Sequence, residues 1–163
     1  RIEASNLISW FEKEMEIWLG EYRLQLLYHG KGHTSGDTII FIDQLRTVIT
    51  GDLVFNKTIP YMADAYIEEW IESLKYIQFL KNETVIPGHG QIGGRPTVIA
   101  MKHYLLDLKD NVLQQLKDKK SLEETQNAVE PILRKKYKDW KQLDGIKGNI
   151  ERAWLEYSAK EKA

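Results

Sequence analysis

Two histidines and one aspartate stand in glycine-rich strings that each follow an apolar run. His33 lies in Gly30-Lys31-Gly32-His33-Thr34-Ser35-Gly36-Asp37, His89 in Pro87-Gly88-His89-Gly90, and Asp52 in Thr50-Gly51-Asp52-Leu53. A glycine beside a histidine lets the backbone take positive φ and swing the imidazole out of a sheet edge. Taken singly, each has a bland reading: a turn residue for the histidines, an Asx-type turn or helix cap for the aspartate. Together they differ, because three strands would each deliver a donor at one end, where neighbouring strands of one sheet can bring them together. Neutral imidazole plus carboxylate is a donor set suited to zinc, and also to iron or manganese. The absence of cysteine excludes a thiolate zinc site, a disulfide scaffold and a cysteine nucleophile.

The elements that must position these residues change in character near residue 97. Residues 14–19 and 22–29 flank Gly20-Glu21 and read as a hairpin, with Tyr22, Leu24, Leu26 and Tyr28 on one face at period two. Residues 37–43 and 46–50, joined by Gln44-Leu45, read as a second hairpin, and Thr84–Ile86 as a short strand running into Pro87. Between them Ile67, Trp70, Ile71, Leu74 and Ile77 mark the apolar stripe of a helix over Asp64–Lys81, with Asp64 as its cap. A second helix opens at Pro96-Thr97. A third follows a capping box of Ser121 and Glu124 and is expected to kink or restart at Pro131. Ile150, Trp154 and Tyr157 mark a last short helix.

A chain of 163 residues forms one domain, or half of a larger one. Hydrophobic residues at 42% and charged residues at 29% exclude a disordered tail, a collagen-like fibre and a coiled-coil rod. A formal net charge of -1 offers no global attraction to nucleic acid or to anionic lipid, and a nucleic-acid partner is not expected. No apolar run is long enough to span a membrane. No P-loop string points to a nucleotide cofactor.

The strings GKGHTSGDTIIFI, VITGDLVF and VIPGHG, in this order, resemble the third, fourth and fifth motifs of the metallo-β-lactamase superfamily. The likeness continues through Pro60-Tyr61, Asp64-Ala65 and Trp70-Ile71, is specific over residues 15–95, and is weaker over 100–163. The resemblance implies an α/β (α+β) fold: an αββα sandwich, with helices on one face of each sheet and a two-metal site at the sheet edge. By motif His33 would be a ligand of the first metal, Asp52 would bridge both and take the catalytic place, and His89 would complete the second. The implied reaction is metal-activated water attacking an ester, thioester, amide or lactam carbonyl of a small-molecule substrate, with two zinc ions per complete site. Asp52 at the bridging place argues against the β-lactamase subclasses that use cysteine there. Lys57 and Tyr61 lie in the loop where such proteins contact substrate. Asp37 and His29 are candidates to stand behind the ligands: Asp37 by orienting His33 or as a strand-start turn residue, His29 in support or as strand-end packing.

The sequence departs from this pattern in one respect. The leading motif of the superfamily, His-x-His-x-Asp-His, has no counterpart; the histidines are His29, His33, His89 and His103. Together with an opening at Arg1, this leads to the expectation that residues 1–163 are the C-terminal half of the fold. Residues 14–96 would form sheet, motif loops and helix, and 97–163 a helical tail. Such a half would be inactive alone and would bind metal poorly or not at all. Its partner would be the N-terminal half or another copy of the chain, as a dimer or domain swap, across an exposed apolar sheet face. The alternative function is a non-catalytic, swapped or oligomeric half-domain acting as a folding or interaction unit. Localisation stays open between periplasmic or secreted and cytoplasmic.

Overall fold

A computed structural model describes residues 11–160. The first ten and last three residues of the expected unit lie outside the described residues. Five strands form one sheet in chain order: β1 (Glu14–Leu19), β2 (Tyr22–Leu27), β3 (Ile39–Ile42), β4 (Thr47–Phe55) and β5 (Thr84–His89). The first four pair antiparallel. β5 returns parallel to β4 after the helix α1 (Ile67–Phe79), a β-α-β crossover. The helices α2 (Arg95–Lys117), α3 (Leu122–Lys136) and α4 (Ile146–Lys160) follow.

The first hairpin forms as the Gly20-Glu21 signal predicts, with Gly20 at φ 60°. Its period-two face has an unexpected destination. The residue of β2 that enters the core is Leu27, opposite Ile39, on the face that also carries the buried Phe41, Val48 and Val85. Tyr22, Leu24 and Leu26 point the other way. On that side Met15, Leu26, Ile40, Ile49 and Ile86 are direct cross-strand neighbours, one apolar row across all five strands. None of the five is buried, and Ile17, Leu19 and Tyr22 beside them are exposed. A one-sided sheet alternates polar and apolar residues. Here β3, β4 and β5 are apolar on both faces, and α1 and α2 pack on only one of them.

Three expected boundaries move. β4 does not end at Thr50 but continues to Phe55, with its pairing to β5 shifting register at Gly51, so Asp52 sits within a strand just past an irregularity. α1 starts at Ile67, not Asp64; its N-cap residue Tyr66 is extended and lends no side chain, and Asp64 is exposed. α3 forms behind its capping box as the Ser121–Glu124 spacing predicts, but runs unbroken through Pro131, because burial of Val129 and Leu133 on either side holds it. The region after residue 97 is part of the main core: Met101, Tyr104, Leu105, Leu108, Val129, Leu133, Ile146 and Ile150 belong to the same buried cluster as Trp70 and Val85.

The capping box generates a pH prediction. The Ser121 N–H and hydroxyl, and the Lys120 ammonium, favour the charged form of Glu124 and lower its pKa from 4.5 to about 2. A carboxylate depressed on folding contributes stability that is present above its unfolded pKa and is lost as pH falls towards the folded value. The thermal midpoint of Glu124→Gln should therefore lie below wild type at pH 7. The gap should close between pH 4.5 and about 2, and remain small throughout because the pair is exposed to solvent. A gap independent of pH would show that the carboxylate charge is irrelevant to the cap.

Candidate metal centre

The three motif residues meet at one edge of the sheet. Asp52, on β4, places Oδ1 3.4 Å from His89 Nε2 and Oδ2 3.9 Å from His33 Nδ1. Both separations are longer than a hydrogen bond. Asp52 and His89 are open to solvent, with side chains 40% and 52% exposed, whereas His33 is 15% exposed.

Close packing sets this convergence. Asn56 N–H donates to the His89 carbonyl at 2.8 Å and ties the end of β5 to β4. A Cβ on Gly88 would fall 2.1 Å from Asp52 Oδ1 and 2.7 Å from the Gly51 carbonyl carbon, so only glycine lets Asp52 lie across β5. Gly88 thus serves by lacking a side chain and not by positive φ; of the two glycines around His89, Gly90 takes the left-handed region, at φ 91°. The imidazoles share an aromatic floor. Phe55 stacks on His89 at 4.6 Å between ring centroids and also borders His33, while Trp70 meets His33 edge-on at 5.4 Å. Trp70 is itself pinned by its indole N–H to the buried Leu53 carbonyl at 2.9 Å.

The tautomer of His33 follows from its partner. Nε2 lies 2.7 Å from the Tyr61 carbonyl, which can only accept, so Nε2 carries the proton. In the neutral ring Nδ1 then presents a lone pair towards Asp52. Metal-binding histidines commonly give one ring N–H to a backbone carbonyl, which leaves the other nitrogen free as a donor.

The donor set fits a cation in pairs. Zinc bonds of about 2.0–2.1 Å place two tetrahedral ligand atoms about 3.3 Å apart, close to the 3.4 Å between Asp52 and His89. The His33 pair is wider. Among the described residues no three His, Asp or Glu side chains close into a single cage. His33, Asp52 and His89 stand instead as two donor pairs sharing Asp52.

The other candidates fall into separate places. Asp37 accepts the Thr34 N–H at 2.6 Å, which is the turn role, and the partner of His33 is Tyr61. His29 is exposed at the end of β2 and packs its ring on Tyr76 of α1, 4.2 Å between centroids. Lys57 is exposed at φ 53° in the loop after β4, with its carbonyl bonded by Lys141 N–H. Tyr61 projects a ring that is 74% exposed. It borders a cleft of about 670 Å³ between residues 59–63 and the start of α4, lined also by Asn149, Arg152 and Leu155. Sequence reasoning placed Trp70 in the core, where it is, and missed its contact with His33; it missed Phe55 altogether. Phe55 follows Asp52 by three in the same strand, the one signal that could have marked it.

A mixed α/β fold with a carboxylate between two imidazoles at a sheet edge defines a class, and comparison with known proteins shows which family it resembles. Residues 19–89 match the family model of the metallo-beta-lactamase superfamily. The "Metallo-beta-lactamase type 2" of Bacillus cereus is 32% identical over 81 residues, covering 47% of this chain and 32% of that protein. The protein of the same description from Elizabethkingia meningoseptica is 25% identical over 84 residues. Among solved structures, a metallo-beta-lactamase from Pontibacter korlensis superposes with TM-score 0.55 at 24% identity, over 59% of this chain and 47% of that one. TMB-1 gives TM-score 0.55 at 24% identity over 61% and 47%. Over residues 19–89 the chain is similar to the metallo-beta-lactamase superfamily, and its mixed α/β fold is that of the solved metallo-beta-lactamases. It spans about a third of the length of the curated relatives it matches.

The contact at Gly88 carries a prediction. Gly88→Ala should force apart β5 and the Asp52 carboxylate at a cost of about 1–3 kcal/mol, the range of overpacked sites. Urea unfolding measures it. Wild-type stability in this variant would mean that Asp52 can leave its place freely.

Proposed function

We propose that this chain carries three of the metal donors of a binuclear, zinc-dependent hydrolase acting on a small molecule with an ester, thioester, amide or lactam carbonyl. The observation that carries the reading is the placement of Asp52, one oxygen towards His89 and the other towards His33. His33 and Asp52 would hold one cation and Asp52 and His89 the other. When bound, the metal supplies the Lewis acidity and the lowered water pKa that acyl hydrolysis requires. Asp52 would be the shared anionic ligand, kept apart from either imidazole so that charge and not a direct hydrogen bond joins them. Phe55 and Trp70 hold the rings, and the Tyr61 side chain and Lys57 would meet substrate beside the cleft.

Two donors per cation are too few for a zinc site, which takes three or four protein ligands. The remaining donors would come from a second β-layer bearing a His-x-His-x-Asp-His string and seated on the apolar row of Met15, Leu26, Ile40, Ile49 and Ile86. Alone the chain should not turn over substrate. The same row supports a second reading, in which copies of the chain cover one another's sheet and the unit is non-catalytic.

Zinc uptake separates the two. With the complementary half added and zinc measured by competition with a chromophoric chelator, Asp52→Ala should weaken zinc binding by about a hundred-fold or more, since it removes a ligand from both pairs, and should abolish hydrolysis. If Asp52→Ala leaves zinc affinity unchanged and alters only the unfolding midpoint, the hydrolase reading falls and the swapped unit stands.

A further inference from the structure

We propose that α4 is a positioning element for His33, acting through Asn149, Arg152 and Glu156 on the loop that holds the imidazole. These three residues recur at i, i+3 and i+7, so they form one stripe of the helix. Each ends on the backbone between the end of β4 and the first turn of α1. Asn149, 2% exposed, donates from Nδ2 to the Pro60 carbonyl at 3.0 Å and to the Tyr104 hydroxyl oxygen at 2.7 Å. Arg152 Nε donates to the Ala65 carbonyl at 2.7 Å. Glu156, whose side chain is 10% exposed, accepts the Ile67 N–H at 2.9 Å and the Glu68 N–H at 3.4 Å, and is paired with Arg152 and Lys160.

The bonded groups bracket Tyr61, Pro60 immediately before it and Ala65 and Ile67 after it. Just upstream, Lys141 exchanges backbone bonds with Lys57 and Ile59. The loop is therefore held from the helical region along its length, and the Tyr61 carbonyl is presented to His33 Nε2 at a fixed place. The loop cannot shift without stripping partners from a buried amide and a buried carboxylate, so it has one position and not a range. A ring held by Nε2–H keeps the lone pair of Nδ1 aimed at Asp52, and loss of such an outer partner costs metal sites about ten- to a hundred-fold in affinity.

This inference rests on the proposed function only in taking Nδ1 as the metal-facing atom, and its test needs no metal. In protein labelled with nitrogen-15 at histidine, the His33 ring N–H should give a proton resonance protected from exchange with water. Glu156→Ala and Arg152→Ala should each raise its exchange by about ten-fold or more, the rate following the opening of the loop. Glu156→Gln keeps an acceptor for the Ile67 N–H and should retain most of the protection. Val129→Ala, buried in α3 away from the loop, should lower the unfolding midpoint and leave the resonance in place. Undiminished protection in Glu156→Ala and Arg152→Ala would overturn the proposal. So would an equal loss in Val129→Ala, which would reduce the effect to general loosening. Neither result depends on how zinc responds to Asp52→Ala.

Discussion

Helix α1 begins without a cap of its own, and the carboxylate that completes it comes from near the far end of the chain. Its first N–H groups need an acceptor. Tyr66 offers none, and Glu156 on α4 supplies it. The consequence extends beyond one helix end. The negative charge sits where the α1 dipole favours it and is shared with Arg152, which returns to the Ala65 carbonyl. A single ion pair thus joins the last helix, the first helix and the loop between β4 and α1. Trp70, on the next turn of α1, then reaches both the Leu53 carbonyl and the edge of His33.

The sheet imposes a second constraint. Its helix-facing side is finished: Phe41, Val48 and Val85 are sealed by α1 and α2. Its other side carries an isoleucine- and leucine-rich row with none of the described helices over it. Apolar area left in water forgoes about 25 cal/mol per Å² of stabilisation, and a continuous patch does so at every residue. The donor pairs lie at the edge of this same sheet. His33, Asp52 and His89 thus lie at the margin of the one sheet whose second face the described helices leave open.

Much of this was legible in the residues. The GKGH, GDLVF and PGHG strings mark three residues that the structure brings together, the Gly20-Glu21 turn forms the first hairpin, and the Ser121–Glu124 spacing opens α3. What escaped was non-local. No local pattern reveals that Glu156 caps a helix 89 residues upstream, and a polar Asp64 ahead of an apolar stripe looked like the cap it is not. β4 was cut short because Gly51-Asp52 reads as a turn, whereas the parallel pairing with β5 carries the strand past that irregularity. Periodicity marks Tyr22, Leu24 and Leu26 as the apolar face of β2, yet the helices pack on the face of Arg23, Gln25 and Leu27, a choice set by distant elements and not by the strand's own pattern.

The order of the glycines around His33 and His89 shows how close packing and chemistry combine at this edge. A mobile carboxylate between two imidazoles would collapse onto one of them and hydrogen-bond it, leaving nothing for a cation. Here each ring is already committed elsewhere. His89 is stacked on Phe55, with its carbonyl taken by Asn56; His33 gives its proton to Tyr61 and its edge to Trp70. Gly88 lets Asp52 lie between them and leaves no space for a Cβ. The carboxylate consequently faces two nitrogens at distances beyond a hydrogen bond. A small cation, as the proposed function requires, would compensate there a negative charge that neither imidazole hydrogen-bonds.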